Sequence, residues 1–85
     1  MHNAPESPLE TILAISTLEQ IRVLHVWATG FDGIIRGRVD AESWLAALEG
    51  YDMNRVRAAI TEHYRRNTWR VMPANIIEII EAGEA

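Results

Sequence analysis

Cysteine is absent from the 85-residue chain, which removes disulfides, thiolate zinc sites and thiol nucleophiles together. Lysine is absent too, so all eight basic residues are arginine, a bias that points to GC-rich coding and carries no mechanism. No apolar run approaches the roughly 20 residues of a membrane span. The N-terminus lacks a basic region followed by a hydrophobic stretch, so no secretory signal is read and a cytoplasmic location is expected. Gly30, Gly33 and Gly37 follow no strand pattern and no Gly-Lys-Ser/Thr occurs, which argues against a nucleotide-cradling loop. Catalytic constellations are missing as well. Ser7, Ser16 and Ser43 show no nucleophile elbow, and His2, His25 and His63 are scattered. Glu62 and His63 are adjacent and point about 100° apart on a helix, so they cannot act as a dyad. No Asp/Glu/His cluster has metal-ligand spacing. The expectation is a non-enzyme with no catalytic residue, metal, cofactor, small-molecule substrate or membrane contact.

What is present fits one soluble domain. Hydrophobic residues make up 48% of the chain and charged residues 24%, a globular balance. A chain this short buries about 65% of its unfolded surface, enough for one core. The net charge of −4 is uneven. Residues 1–54 carry three arginines against eight acids, residues 55–70 carry five arginines against Glu62, and residues 71–85 carry three acids. Such asymmetry either marks an anion-facing surface or reflects solvated helix charges balanced by acidic neighbours.

The segment 52–67 is the spine. Asp52 is a good N-cap, and Met53, Val56, Ile60, His63 and Tyr64 fall on one stripe of a 3.6-residue period. Residues 1–8 are polar, contain two prolines and read as a flexible tail before a single helical domain over 9–85. Ser7, Pro8 and Glu10 have the pattern of a short helix start, and Ser16 with Glu19 repeats the capping-box spacing. A helix over 17–29 carries two stripes. Leu18, Ile21, Leu24, His25 and Ala28 make the first, with His25 a packing residue. Val23, Val26 and Trp27 lie roughly opposite. Either residues 9–15 fold back over that second stripe or a partner covers it.

Gly30 is expected to end this helix, with 31–38 a loop in which Phe31, Ile34 and Ile35 tuck inward while Asp32, Arg36 and Arg38 stay wet. Asp40 is expected to cap a helix over 41–49 that buries Ala41, Trp44, Leu45 and Leu48. Gly50 then turns the chain, Tyr51 enters the core, and the short turn makes the flanking helices steeply crossed neighbours. Asn67 and Thr68 stop the central helix, and residues 69–72 run extended before Pro73. The last helix turns Ile76, Ile79 and Ile80 inward and closes at Gly83. The fold class is therefore all-α, a small bundle of about four helices packed as two helical hairpins.

Ala46, Gly50 and Val56 match helix-turn-helix spacing. That reading sends Met53, Asn54, Arg57, Ala58 and Thr61 toward a major groove, with Asn54 and Arg57 as base readers and Thr61 and Arg65 on the same nucleic-acid face.

Read as one string, residues 44–76 give Trp-Leu-x-x-Leu, Gly-Tyr-Asp, Val-x-x-Ala-Ile-x-x-His-Tyr and Trp-Arg-Val-Met-Pro-Ala-Asn-Ile. This string resembles the phage replisome-organiser and helicase-loader domain of actinobacterial phages and prophages. The resemblance implies an all-α bundle preceding a flexible C-terminal segment that engages the replicative hexameric helicase. It makes a protein partner, the replicative helicase, the first expectation, and the second stripe of the 17–29 helix, Val23, Val26 and Trp27, is the expected contact. A helix-turn-helix DNA-binding regulator using Asn54, Arg57, Thr61 and Arg65 is the alternative. A small phage protein that inhibits a host target is the third.

Overall fold

The computed structural model describes residues 13–83. The expectations for residues 1–12, including the tail at 1–8 and the cover from 9–12, lie outside the described residues. Four helices follow in order: α1 (Leu18–Asp32), α2 (Arg38–Leu48), α3 (Met53–Arg66) and α4 (Pro73–Glu81). α1 approaches α2 and α3, α4 approaches the same two, and the backbones of the diagonal pairs α1/α4 and α2/α3 stay more than 8 Å apart between Cα atoms. The bundle is thus two hairpins, α1–α2 and α3–α4, laid side by side. The expectation that α2 and α3 cross as neighbours is corrected. The chain entering α1 pairs with their connection instead: Ile15 N donates to Tyr51 O (2.9 Å), Gly50 N to Ile15 O (2.9 Å) and Met53 N to Leu13 O (2.8 Å). Ile15 is buried there at 1% exposure.

Helix ends follow from local hydrogen bonding. The capping box of α1 is Thr17 with Gln20, one residue beyond the Ser16–Glu19 expectation. Gln20 Oε1 accepts from both Ser16 N (2.7 Å) and Thr17 N (3.0 Å), which a shift by one residue would forfeit. α1 also runs through Gly30 and ends where Gly33, at φ 71°, donates to Thr29 O (2.8 Å). That left-handed turn, rather than the first glycine met, stops the helix.

α2 starts at Arg38 with Gly37 as its N-cap, so the Asp40 cap is a correction. Asp40 lies inside the first turn and its carboxylate accepts from Arg70 (3.0 Å). Asp52 caps α3 as expected, accepting from Arg55 N (3.1 Å), and its other oxygen accepts from Leu13 N (3.0 Å). Asn67 leaves the helix at φ −136°, ψ 155°, and Met72 is extended before Pro73.

The core draws on every helix. Ile21 and Leu24, Trp44 and Leu48, Val56 and Ile60, and Ile76 and Ile79 belong to one buried cluster, in which Trp44 is 1% exposed. His25 is buried in the first stripe as a packing residue, its ring edge-on to Trp44 at 4.5 Å. Leu45, Tyr51 and Tyr64 are only half-buried. At the corner 31–38 Arg38 is exposed as expected and Ile34 is half-buried, but Phe31, Ile35 and Arg36 reverse the expectation. Ile35 is 83% exposed and Phe31 is exposed, whereas Arg36 is buried. Arg36 donates to Asp32 (2.6 Å), to Thr29 and to the Ile34 carbonyl (3.0 Å), so its charge is enclosed with partners. Among the described residues no helix is long and apolar enough to cross a membrane.

Candidate functional site

The second stripe of α1 is open on the surface. Val26 is 74% exposed, Val23 is exposed and Trp27 is half-buried. Leu13, a residue of the segment expected to cover them, is itself half-exposed and lies at the edge of the same surface. Together they wall a groove of about 470 Å³ between α1 and α3. Leu24 and Met53 add to its apolar lining, and Asn54 and Arg57 from α3 form the other side. Two sets of residues singled out for different reasons, Val23/Val26/Trp27 and Asn54/Arg57, therefore face one groove.

Trp27 joins the two walls. Its Nε1–H donates to Thr61 Oγ1 (3.0 Å), and Thr61 in turn donates to the Arg57 carbonyl (3.2 Å). The Arg57 guanidinium sits 4.1 Å from the indole centroid, a close cation–π contact. One face of the indole is thus held by a cation that makes no ion pair among the described residues. Beyond Trp27 an aromatic row continues: Phe31 edge-on to Trp27 at 5.8 Å, and Tyr64 stacked on Phe31 at 5.2 Å.

Comparison with protein-family models, curated proteins and solved structures finds no match.

The residues proposed for nucleic-acid contact divide. Asn54 and Arg57 are exposed on the groove wall. Thr61 accepts from Trp27 and also borders a shallow surface with Ala58, Glu62 and Arg65, where Arg65 lies 3.9 Å from the Glu62 carboxylate. Glu62 also holds Arg66 at 2.7 Å, which spends much of the positive charge at that end of α3. The helix-turn-helix spacing does not carry over into helix-turn-helix packing. Gly50 is at φ 90° and Val56 is buried, as that motif needs, but Ala46 is exposed and no Cα of α2 comes within 8 Å of one in α3.

A second polar centre lies beneath the aromatic row and was not singled out as a site. Tyr64 Oη donates to Asp32 Oδ2 and accepts from Val71 N (3.0 Å). Asp32 accepts in addition from Arg36 and from Ile34 N (2.9 Å). Burial alone would push the Asp32 carboxyl up, but hydrogen bonds from Arg36 and Tyr64 outweigh it and hold the group well below the usual carboxylate range. Burial and the neighbouring carboxylate push the Tyr64 phenol up. Asp32 and Arg36 are paired here, and through Tyr64 the cluster ties the α1–α2 corner to α3. Among the described residues no group of three or more His, Cys, Asp or Glu could hold a metal ion.

Proposed function

We propose that the chain is a non-enzymatic binding protein of phage or prophage DNA replication whose α1–α3 groove holds a partner protein. A replicative hexameric helicase is the partner that the family resemblance implies. One observation carries the reading: exposed Val23 and Val26 lie beside a Trp27 indole stacked under Arg57. Trp and Arg supply large contact area with directional polar atoms and dominate binding hot spots. A groove of this kind suits the apolar face of an amphipathic helix, with an acidic side chain meeting Arg57.

Val26→Asp is the test, measured by calorimetric titration of the purified chain against the replicative helicase of its host. Val26 is 74% exposed, so melting should stay within about 0.5 kcal/mol of wild type while binding falls at least tenfold. Unchanged affinity in Val26→Asp, or no binding by the wild type, overturns the helicase reading.

DNA binding is the second reading, drawing on the exposed Asn54 and Arg57. Under it, Arg57→Ala weakens specific duplex binding by about 1–3 kcal/mol and relaxes choice at one base pair. Absence of specific duplex binding in a low-salt mobility-shift titration removes it.

A further inference from the structure

Three buried side-chain nitrogens among the described residues have no hydrogen-bond partner: His25 Nε2, Arg36 Nε and Arg70 Nε. They come from α1, the 33–37 loop and the 69–72 linker, yet they gather round the first two turns of α2. The His25 ring meets Trp44 at 4.5 Å, the Arg36 guanidinium is 5.8 Å from the same indole, and Arg70 donates to Asp40 one turn earlier. Unmatched buried polar atoms are uncommon because each forfeits its hydration, and His25 Nε2 and Arg36 Nε, on side chains that contact the same indole, point to a missing partner between them.

The end of α2 adds further donors. Its N-cap, Gly37, supplies no side-chain cap, which leaves the N–H groups of the first turn open. A cavity of about 200 Å³ opens at this end, walled by Arg22, His25, Thr29, Ile35, Arg36 and Gly37 among others. His25 is 5% exposed and the Arg36 side chain is fully enclosed, so both reach the cavity wall from buried positions. The charges facing His25 are Arg22 on α1, Arg36 in the loop, Arg70 in the linker and Asp40 on α2. Asp32 offsets Arg36 and Asp40 offsets Arg70, while Arg22 makes no ion pair among the described residues. Burial, and then Arg36, push the His25 imidazole down to about 4, as befits a neutral ring in a positive setting.

We infer that this cavity is an oxyanion site, seating a small phosphate-class anion on the N-terminus of α2 between Arg22 and the buried pair His25 and Arg36. Phosphate oxygens are acceptors only, and backbone N–H groups at a helix start with flanking arginines are the donors that suit them. The volume admits inorganic phosphate or the terminal phosphate of a monoester. The apolar wall at Ile35 can pack the organic part of an ester.

Amide NMR titration of the full chain distinguishes these sources, using inorganic phosphate, phenyl phosphate and sodium chloride at matched ionic strength. Saturable shifts at the Gly37, Arg38 and Val39 amides and at the His25 ring are expected with both phosphates. Tighter phenyl phosphate binding assigns the ester, and equal binding assigns the free ion. Shifts that fail to saturate, or that chloride reproduces, overturn the site. Two variants guard against misfolding as the cause. Gly37 has φ −96° with open space where a Cβ would stand, so Gly37→Asp fits and caps the helix with its own carboxylate. It should raise the melting temperature while weakening phosphate binding roughly tenfold, since the same N–H groups are taken. Arg22→Ala, at an exposed position, should weaken binding severalfold with melting unchanged. Wild-type phosphate affinity in Gly37→Asp overturns the inference.

Discussion

Replacing Arg36 with methionine isolates the buried charge pair at the α1–α2 corner. The wild-type guanidinium meets Asp32 at 2.6 Å, with 0% of the Arg36 side chain and 6% of the Asp32 side chain exposed. Methionine fills much of the volume but leaves the carboxylate with only the Tyr64 hydroxyl and the Ile34 N–H. Stranding one charge of a buried pair costs about 3–5 kcal/mol, a large part of the roughly 5–15 kcal/mol that holds a small domain. The melting temperature should fall by roughly 15 °C or more.

The loss should also depend on pH. Asp32 titrates below its ordinary value of 3.8 in the folded wild type, so its contribution is present above that value and disappears as pH falls through the lower, folded one. In Arg36→Met the carboxyl moves back up, so the gap between the two proteins should narrow below about pH 4. The pair Asp32→Asn with Arg36→Met leaves no stranded charge and should cost less than Arg36→Met alone. Urea unfolding of the three proteins at about pH 7 and pH 3.5 measures all of this. A loss under about 1 kcal/mol at neutral pH, or a gap that does not change with pH, refutes the account of Arg36 as a buried, partnered charge.

Trp44→Ala should destabilise by about 3–5 kcal/mol in chemical denaturation, because Trp44 is the largest fully buried side chain; a negligible shift would contradict the packing around α2. His25 is held neutral, down to about 4 from 6.5, so the unfolded chain takes up a proton the fold refuses as pH drops through that window. Stability should decline there by on the order of 2–3 kcal/mol, and His25→Gln should lack that component of the slope. Ala46→Lys should change stability by less than about 0.5 kcal/mol, since Ala46 is exposed; a large loss would restore helix-turn-helix packing.

The helices were legible where a period and a stop signal agreed. Asp52 and the stripe from Val56 to His63 made α3 plain, and Pro73 with three inward isoleucines made α4 plain. Illegible were the features set by residues far apart in sequence. Asp32 and Arg36 read as wet because charged residues in a glycine-rich stretch usually are, and the hydroxyl that completes their cluster belongs to Tyr64, 32 positions after Asp32. Asp40 lies inside α2 instead of capping it, and its partner is Arg70, 30 positions away. The pairing of residues 13–15 with 50–53 consists of backbone hydrogen bonds, which no side-chain pattern announces. Of the groove, the α1 wall was legible as a surplus apolar stripe. That Asn54 and Arg57 face it depends on the lateral packing of α1 on α3.

Trp27 shows why core and interface are not exclusive assignments for that stripe. Its indole N–H is tied to Thr61 and its ring lies against Arg57, so truncation to alanine removes an α1–α3 link and a contact surface at once. A loss of binding in Trp27→Ala therefore has two explanations. Val26 sits one residue earlier and is largely exposed, so a substitution there changes the groove without touching the link. The hydrogen bond and the stacked guanidinium also restrict the indole, and on the proposed reading this lowers the entropy that binding would remove. On the proposed reading Trp27 is thus partly a structural residue, and exposed Val23, which lines the groove and not the cavity at the start of α2, reports groove binding with the least ambiguity.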